Sequence, residues 1–434
     1  MSFTVTGTAL RTVREPLLSP FGFKGGALTE LWQVVVRLET EDGRHAVGVG
    51  LQSVLWSDGA VFRALGEEAG NRAMRAMTEH ALSLVKGRSF ASPAAMIEAL
   101  LPEVYAYGRT VTGRGDLRKT FALNALVALD HAAWQLTASE AGSEDLLCLA
   151  GGPAALSERQ ETLAKIPLIT YHTDKAEIAR LAAAGTALFK IKIGADPDGD
   201  GDRAKMLAWD KARLFEVHTL LKEYRTPLTK NGHIAYYLDA NGRYDTPERL
   251  AELLTAAGEM GALERIVLLE EPFPEEERFD VSALPVRIAA DESAHSREDV
   301  LERIALGYGA IALKPAAKTL SVTLSKLEAA SAHGIPCFVA DLTVPPQLVE
   351  FNKNVAARIA PLPEMLCGVL ESNGAQNYRN WEAMMLAAPP CDMGSESGFT
   401  VTREFFTSGG GAYRPLAYYE AVMADAETAE ERCL

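Results

Sequence analysis

Two lysines, Lys190 and Lys192, interrupt an apolar run at Ala187–Gly194 that otherwise has the composition of a buried β-strand. Side chains alternate between the two faces of a strand, so both lysines project from one face and Phe189 and Ile191 from the other. Burying two ammonium groups costs several kcal/mol unless carboxylates, a metal-organised site or an anionic ligand lie nearby. The run therefore predicts a strand that points at a functional site, and the alternative is a solvated edge strand.

Three carboxylates occupy comparable positions further along the chain. Asp239, Glu270 and Asp291 each end a short apolar run, and Lys314 ends the next one. Hard oxygen ligands in this number suit Mg²⁺, with Mn²⁺ as the alternative ion. We therefore predict a divalent metal site with amine groups nearby.

Proton abstraction from a carbon next to a carboxylate would need this combination. The enediolate that results carries two negative charges, which a divalent metal and ammonium groups stabilise as they develop. Lys192 is the candidate base, because the ammonium of Lys190 and the metal charge both favour its neutral form. Lys190 would stay charged and hold the substrate carboxylate, while Lys314 would address the opposite face of the same carbon.

The segments that position these residues alternate between strand and helix from Lys165 onward. The predicted strand cores are Ile166–Tyr171, Leu188–Ile193, Ala235–Asp239, Ile266–Glu270, Val286–Asp291, Ala310–Lys314, Pro336–Asp341 and Gly368–Glu371. Eight β-α units over roughly 210 residues predict an α/β protein with a parallel (β/α) barrel. Functional residues of such barrels collect at the carboxyl ends of the strands, so the lysines and carboxylates would meet on one face.

The remaining segments predict a cap on this barrel. Alternating runs at Phe3–Thr8, Leu31–Leu38 and His45–Leu51 are typical of an antiparallel meander, and helical periodicity dominates from about Asp58 to Glu140. Pro20–Gly26 is predicted to be a mobile loop. The predicted domains are an N-terminal α+β capping domain at 1–150, a barrel at 160–375 and a C-terminal segment at 376–434 that packs back on the cap.

Composition excludes several classes of partner. The chain has 434 residues, 48% of them apolar, and a net charge of −15 from 43 basic and 58 acidic residues. The absence of a basic cluster argues against nucleic acid and anionic membranes as partners. The N-terminus lacks the pattern of a signal peptide, and the five cysteines are widely separated, so we predict a cytoplasmic protein. Large cytoplasmic barrels often self-associate, and a homo-oligomer is therefore expected.

Five motifs in this order resemble the mandelate racemase and muconate lactonizing enzyme group of the enolase superfamily. They are Lys-x-Lys at Lys190 and Lys192, Asp-x-Asn at Asp239 and Asn241, Glu-Glu-Pro at Glu270 to Pro272, Asp-Glu-Ser at Asp291 to Ser293, and Lys314. The resemblance implies a modified TIM barrel under an α+β cap. It also implies an enzyme whose metal ligands are Asp239, Glu270 and Asp291.

The resemblance further implies that Lys192 and Lys314 are the acid–base pair of the muconate lactonizing branch. No histidine falls at the end of the seventh strand, where Asp341 lies, so the His–Asp dyad of the mandelate branch is missing. Family members that act on dipeptides carry Asp-x-Asp on the last strand, whereas this chain has Glu371 and Asn373. A dipeptide substrate is therefore disfavoured.

Four further residues are candidates for substrate contact: Asn241, Asp341, Glu371 and Tyr171. Asn241 has a turn-capping role as its alternative, and Asp341 has a helix-capping one. The substrate is predicted to be a small carboxylate. We predict a racemase or epimerase; the alternatives are a cycloisomerase or acid-sugar dehydratase of the same superfamily, a metal-free Schiff-base aldolase, or a non-catalytic binding protein.

Overall fold

The N-terminal part of the chain is an antiparallel sheet covered by helices. The computed structural model describes residues 2–23, 26–387, 394–425 and 432–433. The N-terminal elements are β1 (Phe3–Phe23), β2 (Gly26–Thr40), β3 (His45–Gln52), α1 (Val54–Ser57), α2 (Gly59–Val85), β4 (Ser89–Phe90), α3 (Pro93–Thr112), α4 (Lys119–Ala125), α5 (Val127–Ala141) and α6 (Leu146–Leu149). β2 lies between β1 and β3, and the short β4 pairs with β1.

This sheet packs closely on α5 because β3 carries glycine at two positions of one face. A Cβ atom added at Gly48 would lie 2.2 Å from the backbone oxygen of Ala128, and one at Gly50 would lie 2.7 Å from the backbone nitrogen of the same residue. Neither position has room for a side chain. The sequence of β3 therefore determines both the strand and, through its two glycines, the close packing of α5 against it.

The prediction of a mobile loop at Pro20–Gly26 is wrong for the described residues. β1 continues to Phe23 and β2 begins at Gly26, so only Lys24 and Gly25 of this segment lie outside the described chain. Phe21 pairs with Leu28 across a long hairpin, after a register shift that follows Pro16. Prolines and glycines indicated a loop, but pairing with β2 extends the strand through them.

The central part of the chain alternates strands and helices. Its elements are β5 (Thr162–Ile166), β6 (Leu168–Ile169), α7 (Lys175–Ala183), β7 (Leu188–Lys192), α8 (Arg203–Leu221), β8 (Ala235–Asp239), α9 (Pro247–Glu259), β9 (Ile266–Glu270), β10 (Ile288–Ala290), α10 (Arg297–Ala305), β11 (Ala310–Leu313), α11 (Pro315–Lys318), α12 (Leu320–Ala332), β12 (Cys337–Val339), α13 (Pro346–Ala356) and β13 (Gly368–Glu371). From β6 to β13 each strand pairs in parallel with the next one in sequence.

The ring of strands closes through an interrupted first strand. β5 and β6 are separated only by Pro167, whose carbonyl accepts a hydrogen bond from the backbone of Lys190 at 3.1 Å. β5 pairs with β13 and β6 pairs with β7, so eight strand positions form a parallel barrel. The predicted α/β fold, a modified TIM barrel with an α+β cap, is confirmed.

Five predicted strands end earlier than expected, and three of these ends concern candidate site residues. Asp291, Lys314 and Asp341 lie just beyond β10, β11 and β12, whereas Asp239 and Glu270 are the last residues of β8 and β9. The carboxyl ends of the strands carry all five side chains. Local polar signals start the following helices: for example, Asp202 caps α8 and Thr246 precedes Pro247 at the start of α9.

The C-terminal part returns to the N-terminal sheet. Its elements are α14 (Gly374–Asn377), α15 (Trp381–Ala387), β14 (Gly398–Thr400), α16 (Phe405–Ser408), α17 (Ala417–Ala424) and β15 (Arg432–Cys433). β14 pairs with β5 of the barrel, and β15 pairs with β1. Within the described residues no helix is long and apolar enough to cross a lipid bilayer. The domain limits stay predictions.

A buried carboxyl group joins the N-terminal sheet to the C-terminal part. Glu15 accepts hydrogen bonds from Gln33 at 2.7 Å and Asn380 at 2.6 Å, and Gln33 in turn accepts one from the Tyr419 hydroxyl at 2.6 Å. Burial raises the pKa of Glu15 to about 7, against the two hydrogen bonds that lower it. The folded protein therefore favours the protonated form of the Glu15 carboxyl group.

Replacing Glu15 with glutamine should stabilise the protein at pH 8 more than at pH 5. The folded carboxyl has a pKa of about 7 and the unfolded one an ordinary pKa near 4.5, so wild-type stability falls as pH rises between these values. The difference between the two pKa values corresponds to about 1–3 kcal/mol of unfolding free energy. Denaturant unfolding of both proteins at pH 5 and pH 8 measures this free energy. Glu103→Gln on the exposed face of α3 is the control, and an equal pH response of the two variants would contradict the assignment.

Candidate active site

A cavity lies between the cap and the carboxyl ends of the barrel strands, with a volume of about 610 Å³ including its open mouth. Its polar lining comes from the barrel and its apolar lining largely from the cap. The lining residues are Leu17, Phe21, Leu28, Leu31, Ser53, Trp56, Leu168, Lys190, Lys192, Asp239, Asn241, Lys314, Asp341, Leu342, Thr343, Glu371 and Asn373. The cavity therefore contains most of the side chains that the sequence singled out.

Lys190 lies at the centre of the polar lining. Its ammonium nitrogen lies 2.9 Å from Asp239 Oδ2, 2.9 Å from Glu270 Oε2 and 3.2 Å from Glu371 Oε2. Burial lowers the pKa of Lys190, but the three carboxylates outweigh this effect and raise it well above its ordinary value. Lys190 is thus a permanent positive charge. The prediction of an inward-facing, carboxylate-paired lysine agrees with this geometry.

Lys192, two residues further along β7, lies at the cavity edge. Its ammonium donates to Asp239 Oδ2 at 2.7 Å and to the side-chain oxygen of Asn241. Asn241 has a left-handed backbone with φ of 45°, and its backbone N–H donates to Asp239 Oδ1 at 3.1 Å. Asn241 therefore shapes a turn and contacts a candidate catalytic lysine, and its predicted contact with the substrate stays a prediction.

Asp239 and Glu270 lie side by side because β8 and β9 pair in that register. Burial raises the pKa of Asp239, but Lys190 and Lys192 outweigh it and hold this pKa well below its ordinary value. Burial, followed by the charge of Asp239, raises the pKa of Glu270 well above its ordinary value. The Tyr237 hydroxyl donates to Glu270 Oε2, while Glu270 Oε1 is buried without a hydrogen-bond partner.

Asp291 anchors the other side of the site. Lys314 lies 2.6 Å from its Oδ2, and Lys318 lies 3.5 Å from its Oδ1. Burial opposes these lysines, but they hold the pKa of Asp291 below its ordinary value, and Asp291 in turn raises the pKa of Lys314 despite burial. The ring of Trp56 covers the Lys314 ammonium at 4.4 Å, in a cation–π arrangement.

The loop after β10 is held by Glu271, the residue that follows Glu270. Glu271 accepts hydrogen bonds from the backbone of Asp291 at 2.7 Å and of Ser293 at 3.1 Å. Its backbone is left-handed, with φ of 39°, a conformation that costs about 1–3 kcal/mol outside glycine. These hydrogen bonds maintain the strained conformation and orient Asp291. Glu271 therefore acts on the site through Asp291.

The donor chemistry at the ends of β8, β9 and β10 fits a divalent cation. Asp239, Glu270 and Asp291 supply three carboxylates, and Glu270 Oε1 and Asp291 Oδ1 are buried atoms without hydrogen-bond partners. As placed, the carboxylates meet lysine ammonium groups, and no group of three or more acidic, histidine or cysteine side chains in the described chain is arranged to hold a metal ion. The metal ligands therefore stay a prediction, and lysine ammonium groups supply the positive charge between the carboxylates.

Two of the four predicted substrate-contact residues are committed to contacts within the protein. Asp341 accepts hydrogen bonds from the backbone of Asn373 at 2.9 Å and of Val344 at 3.3 Å. Glu371 pairs with Lys190 and accepts the backbone N–H of Asp341 at 3.2 Å. Burial, followed by the charge of Glu371, raises the pKa of Asp341 to about 6. Both residues line the cavity, but their main contacts join the last two strand ends.

Tyr171 is placed differently from the other candidates. Its hydroxyl donates to the backbone oxygen of Ile193 at 3.0 Å, and its ring packs edge-on against Trp209. Tyr171 is not among the residues that line the cavity. The sequence predicts Tyr171 as the last residue of the first strand, but β6 ends at Ile169, so Tyr171 belongs to the loop that supports β7.

Sequence reasoning missed Lys318, which is fully buried beside the predicted metal ligand Asp291. Its ammonium donates to the backbone oxygens of Asp291 and Ala294, so it fixes the loop that carries Asp291. The one available signal was a lysine four residues after Lys314, which falls on the same face of a short helix. The leucines of the cap that line the cavity, Leu17, Leu28 and Leu31, were missed as well, because a strand sequence does not show which part of the molecule the strand will cover.

Comparisons with known proteins agree with the fold. Residues 174–363 match the enolase C-terminal domain-like family. A mandelate racemase/muconate lactonizing protein from Herpetosiphon aurantiacus superposes with a TM-score of 0.64 at 19% identity, covering 94% of this chain and 97% of that one. No curated protein sequence matches the chain.

Two further structures are similar in fold. A dipeptide epimerase from Enterococcus faecalis V583, complexed with Mg and the dipeptide L-Leu-L-Tyr, has a TM-score of 0.61 at 17% identity and covers 87% of this chain and 92% of its own. An enolase from Bradyrhizobium, complexed with magnesium and mandelic acid, has a TM-score of 0.59 at 18% identity and covers 86% and 88%. The matched segment 174–363 holds the lysines and carboxylates from Lys190 to Asp341 and belongs to the enolase C-terminal domain-like family, while the similarity of fold to mandelate racemase/muconate lactonizing proteins extends over most of the chain.

Proposed function

We propose that the protein is a Mg²⁺-dependent racemase or epimerase that removes the proton next to a substrate carboxylate. The observation that carries this proposal is the position of two amines around one cavity. Lys192 ends β7 and Lys314 follows β11, and both line the cavity. β7 and β11 are the second and sixth of eight strand positions, so the two lysines enter the cavity from opposite sides of the ring.

Opposed amines suit racemisation, because one removes a proton from one face of the carbon and the other returns a proton to the other face. Lys314, which lies 2.6 Å from Asp291 Oδ2, would act as the acid for the stereoisomer that Lys192 deprotonates. For the opposite stereoisomer the roles are reversed. Lys190 stays charged and holds the substrate carboxylate.

The proposed metal ligands are Asp239, Glu270 and Asp291, on the three strand ends between the two lysines. A divalent ion bound there would stabilise the negative charge that develops on the substrate carboxylate. Lys318 and Glu271 hold the loop of Asp291 in place, and Tyr237 orients Glu270. A cytoplasmic location and a homo-oligomeric state are part of the same proposal.

Hydrogen–deuterium exchange tests the reaction directly. The protein is incubated with a library of α-substituted carboxylates in deuterium oxide with Mg²⁺, and NMR and mass spectrometry follow the α-position. We expect deuterium incorporation with retention of all other atoms, and inversion on chiral analysis. EDTA-treated protein is the control. Loss of water from a substrate would instead identify a dehydratase, and a library without any exchange would contradict the proposal.

A further inference from the structure

The ammonium group of Lys314 contacts one group of the barrel and one group of the cap. Asp291 Oδ2 lies 2.6 Å from the ammonium nitrogen, and the centre of the Trp56 ring lies 4.4 Å from it. Lys314 and Trp56 are 4% and 7% exposed, and both line the cavity. A lysine has a flexible four-carbon side chain, so an amine that must meet a substrate from a fixed direction needs contacts that restrict it. The carboxylate and the ring restrict this amine.

Trp56 is fixed relative to the barrel through one buried side chain, that of Asn124. Trp56 belongs to α1, the short helix of the cap. Asn124 accepts hydrogen bonds from the backbone of Ser53 at 3.0 Å and from the Ser57 hydroxyl at 3.2 Å, at the two ends of this helix. The amide nitrogen of Asn124 donates to the backbone oxygen of Ala317 in α11 at 3.4 Å. The position of the ring is therefore set relative to the end of β11.

The polar atom of Trp56 does not account for the presence of a tryptophan in α1. Its indole nitrogen Nε1 is buried and has no hydrogen-bond partner among the described residues. An unsatisfied buried donor is unfavourable, and phenylalanine would fill much of the same space without one. Tryptophan has the aromatic face that attracts cations most strongly, and this ring also lies 6.0 Å from the Lys318 ammonium. The residue type therefore favours a role of the ring face towards lysine.

We infer that Trp56 is a positioning residue for Lys314: its ring holds the ammonium at the cavity wall, in the place from which this amine serves one face of the substrate carbon. The inference rests on the proposed function for the role of Lys314, whereas the position of the ammonium does not depend on that role. On the other side of the ring of strands, Lys192 donates to Asp239 and Asn241. Loss of the Trp56 ring should therefore affect one of the two lysines.

A comparison of Trp56→Phe with Trp56→Met tests the inference. Both variants lose the indole N–H and a similar volume, but only phenylalanine keeps an aromatic face, while methionine adapts to irregular space. The initial rate of α-deuterium exchange is measured for each pure stereoisomer at saturating concentration with Mg²⁺. We expect Trp56→Met to slow exchange of the stereoisomer that Lys314 deprotonates by about ten-fold relative to the other one, and Trp56→Phe to retain most of the wild-type rate.

Leu55→Ala is the control for a disturbance of the cap helix. Leu55 precedes Trp56 in α1 and is fully buried, but it does not line the cavity. This variant should leave the ratio of the two exchange rates unchanged. Equal slowing of both stereoisomers in Trp56→Met, the same loss in Trp56→Phe, or a change of the same size in the ratio for Leu55→Ala would overturn the inference.

A measurement without substrate examines the position of the ammonium directly. Each folded protein is treated briefly with acetic anhydride, and mass spectrometry of its peptides gives the acetylation rate of each lysine. We expect Lys314 to react faster in Trp56→Met than in the wild type and in Trp56→Phe, because the ring covers its ammonium. Lys192 should react equally in all three proteins. Equal acetylation of Lys314 in all three would overturn the inference.

The two measurements separate this inference from the proposed function. If the wild type exchanged no carboxylate of the library, the proposed function would fail, and faster acetylation of Lys314 in Trp56→Met would still support the contact that positions its ammonium. Exchange by the wild type with an unchanged ratio in Trp56→Met would support the reaction and overturn the positioning role of Trp56.

Discussion

Replacing Lys192 with methionine is expected to abolish α-deuterium incorporation from one stereoisomer, and Lys314→Met is expected to do so from the other. A positioned acid or base contributes about 10²–10⁴-fold to a rate, so each loss should be of this size. The physical reason is the ring position of the two lysines, which in the proposed reaction would place one amine on each side of the substrate carbon. Racemisation needs both amines, and therefore either substitution should stop it.

The measurement is the initial rate of exchange of each pure stereoisomer in deuterium oxide, followed by NMR. Lys211→Met on α8 is the control, because it removes an equal positive charge at a residue that does not line the cavity. Methionine keeps most of the lysine's length and volume, which favours folding of both active-site variants. If either variant exchanged both stereoisomers at equal residual rates, the replaced lysine would not act on only one face of the substrate α-carbon.

Mg²⁺ is expected to stabilise the protein against thermal unfolding, and Glu270→Gln is expected to remove this stabilisation. A ligand at one hundred times its dissociation constant contributes about 2.7 kcal/mol to the free energy of unfolding. Glutamine keeps the shape of Glu270 and still accepts the hydrogen bond of Tyr237, but it is a poor ligand for a hard cation. Burial and Asp239 raise the pKa of Glu270, so a neutral group is compatible with the fold.

The matched control for this experiment is Glu371→Gln. Glu371 is also buried and also pairs with Lys190, but it lies on β13, away from the three proposed ligand strands. This variant should keep the shift in melting temperature produced by Mg²⁺. Calorimetric titration with Mg²⁺ checks the same point at constant temperature. If the Glu270 variant kept the full shift, the proposed ligand set would be wrong.

The barrel and the positions of most candidate site residues could be predicted from the sequence because each residue carries a local signal. A charged side chain that ends an apolar run marks the carboxyl end of a buried strand, as Asp239 and Glu270 do at β8 and β9. The order of such runs then brings their ends to one face. The strand limits at Asp291, Lys314 and Asp341 were predicted less well, since an apolar run does not reveal where pairing stops.

The contacts between distant segments could not be predicted in the same way. The hairpin around Phe21 was interpreted as a loop, because proline and glycine are strong local signals while pairing with β2 is a long-range effect. The pairing of Lys190 with Glu371 joins two strand ends 181 residues apart in sequence. Such a pairing depends on which side chains meet in the folded cavity. The residues next to either partner in the sequence carry no signal of that contact.

The contribution of the β1–β2 hairpin to the cavity separates two kinds of evolutionary change. Leu17, Leu28 and Leu31 form part of the apolar lining of the cavity, whereas the charged groups of the lining lie at the ends of the barrel strands, in another part of the chain. Substitutions in a short segment near the amino terminus can therefore change which substrates the proteins of a lineage accept. The proposed reaction, which depends on the barrel strands, can stay the same.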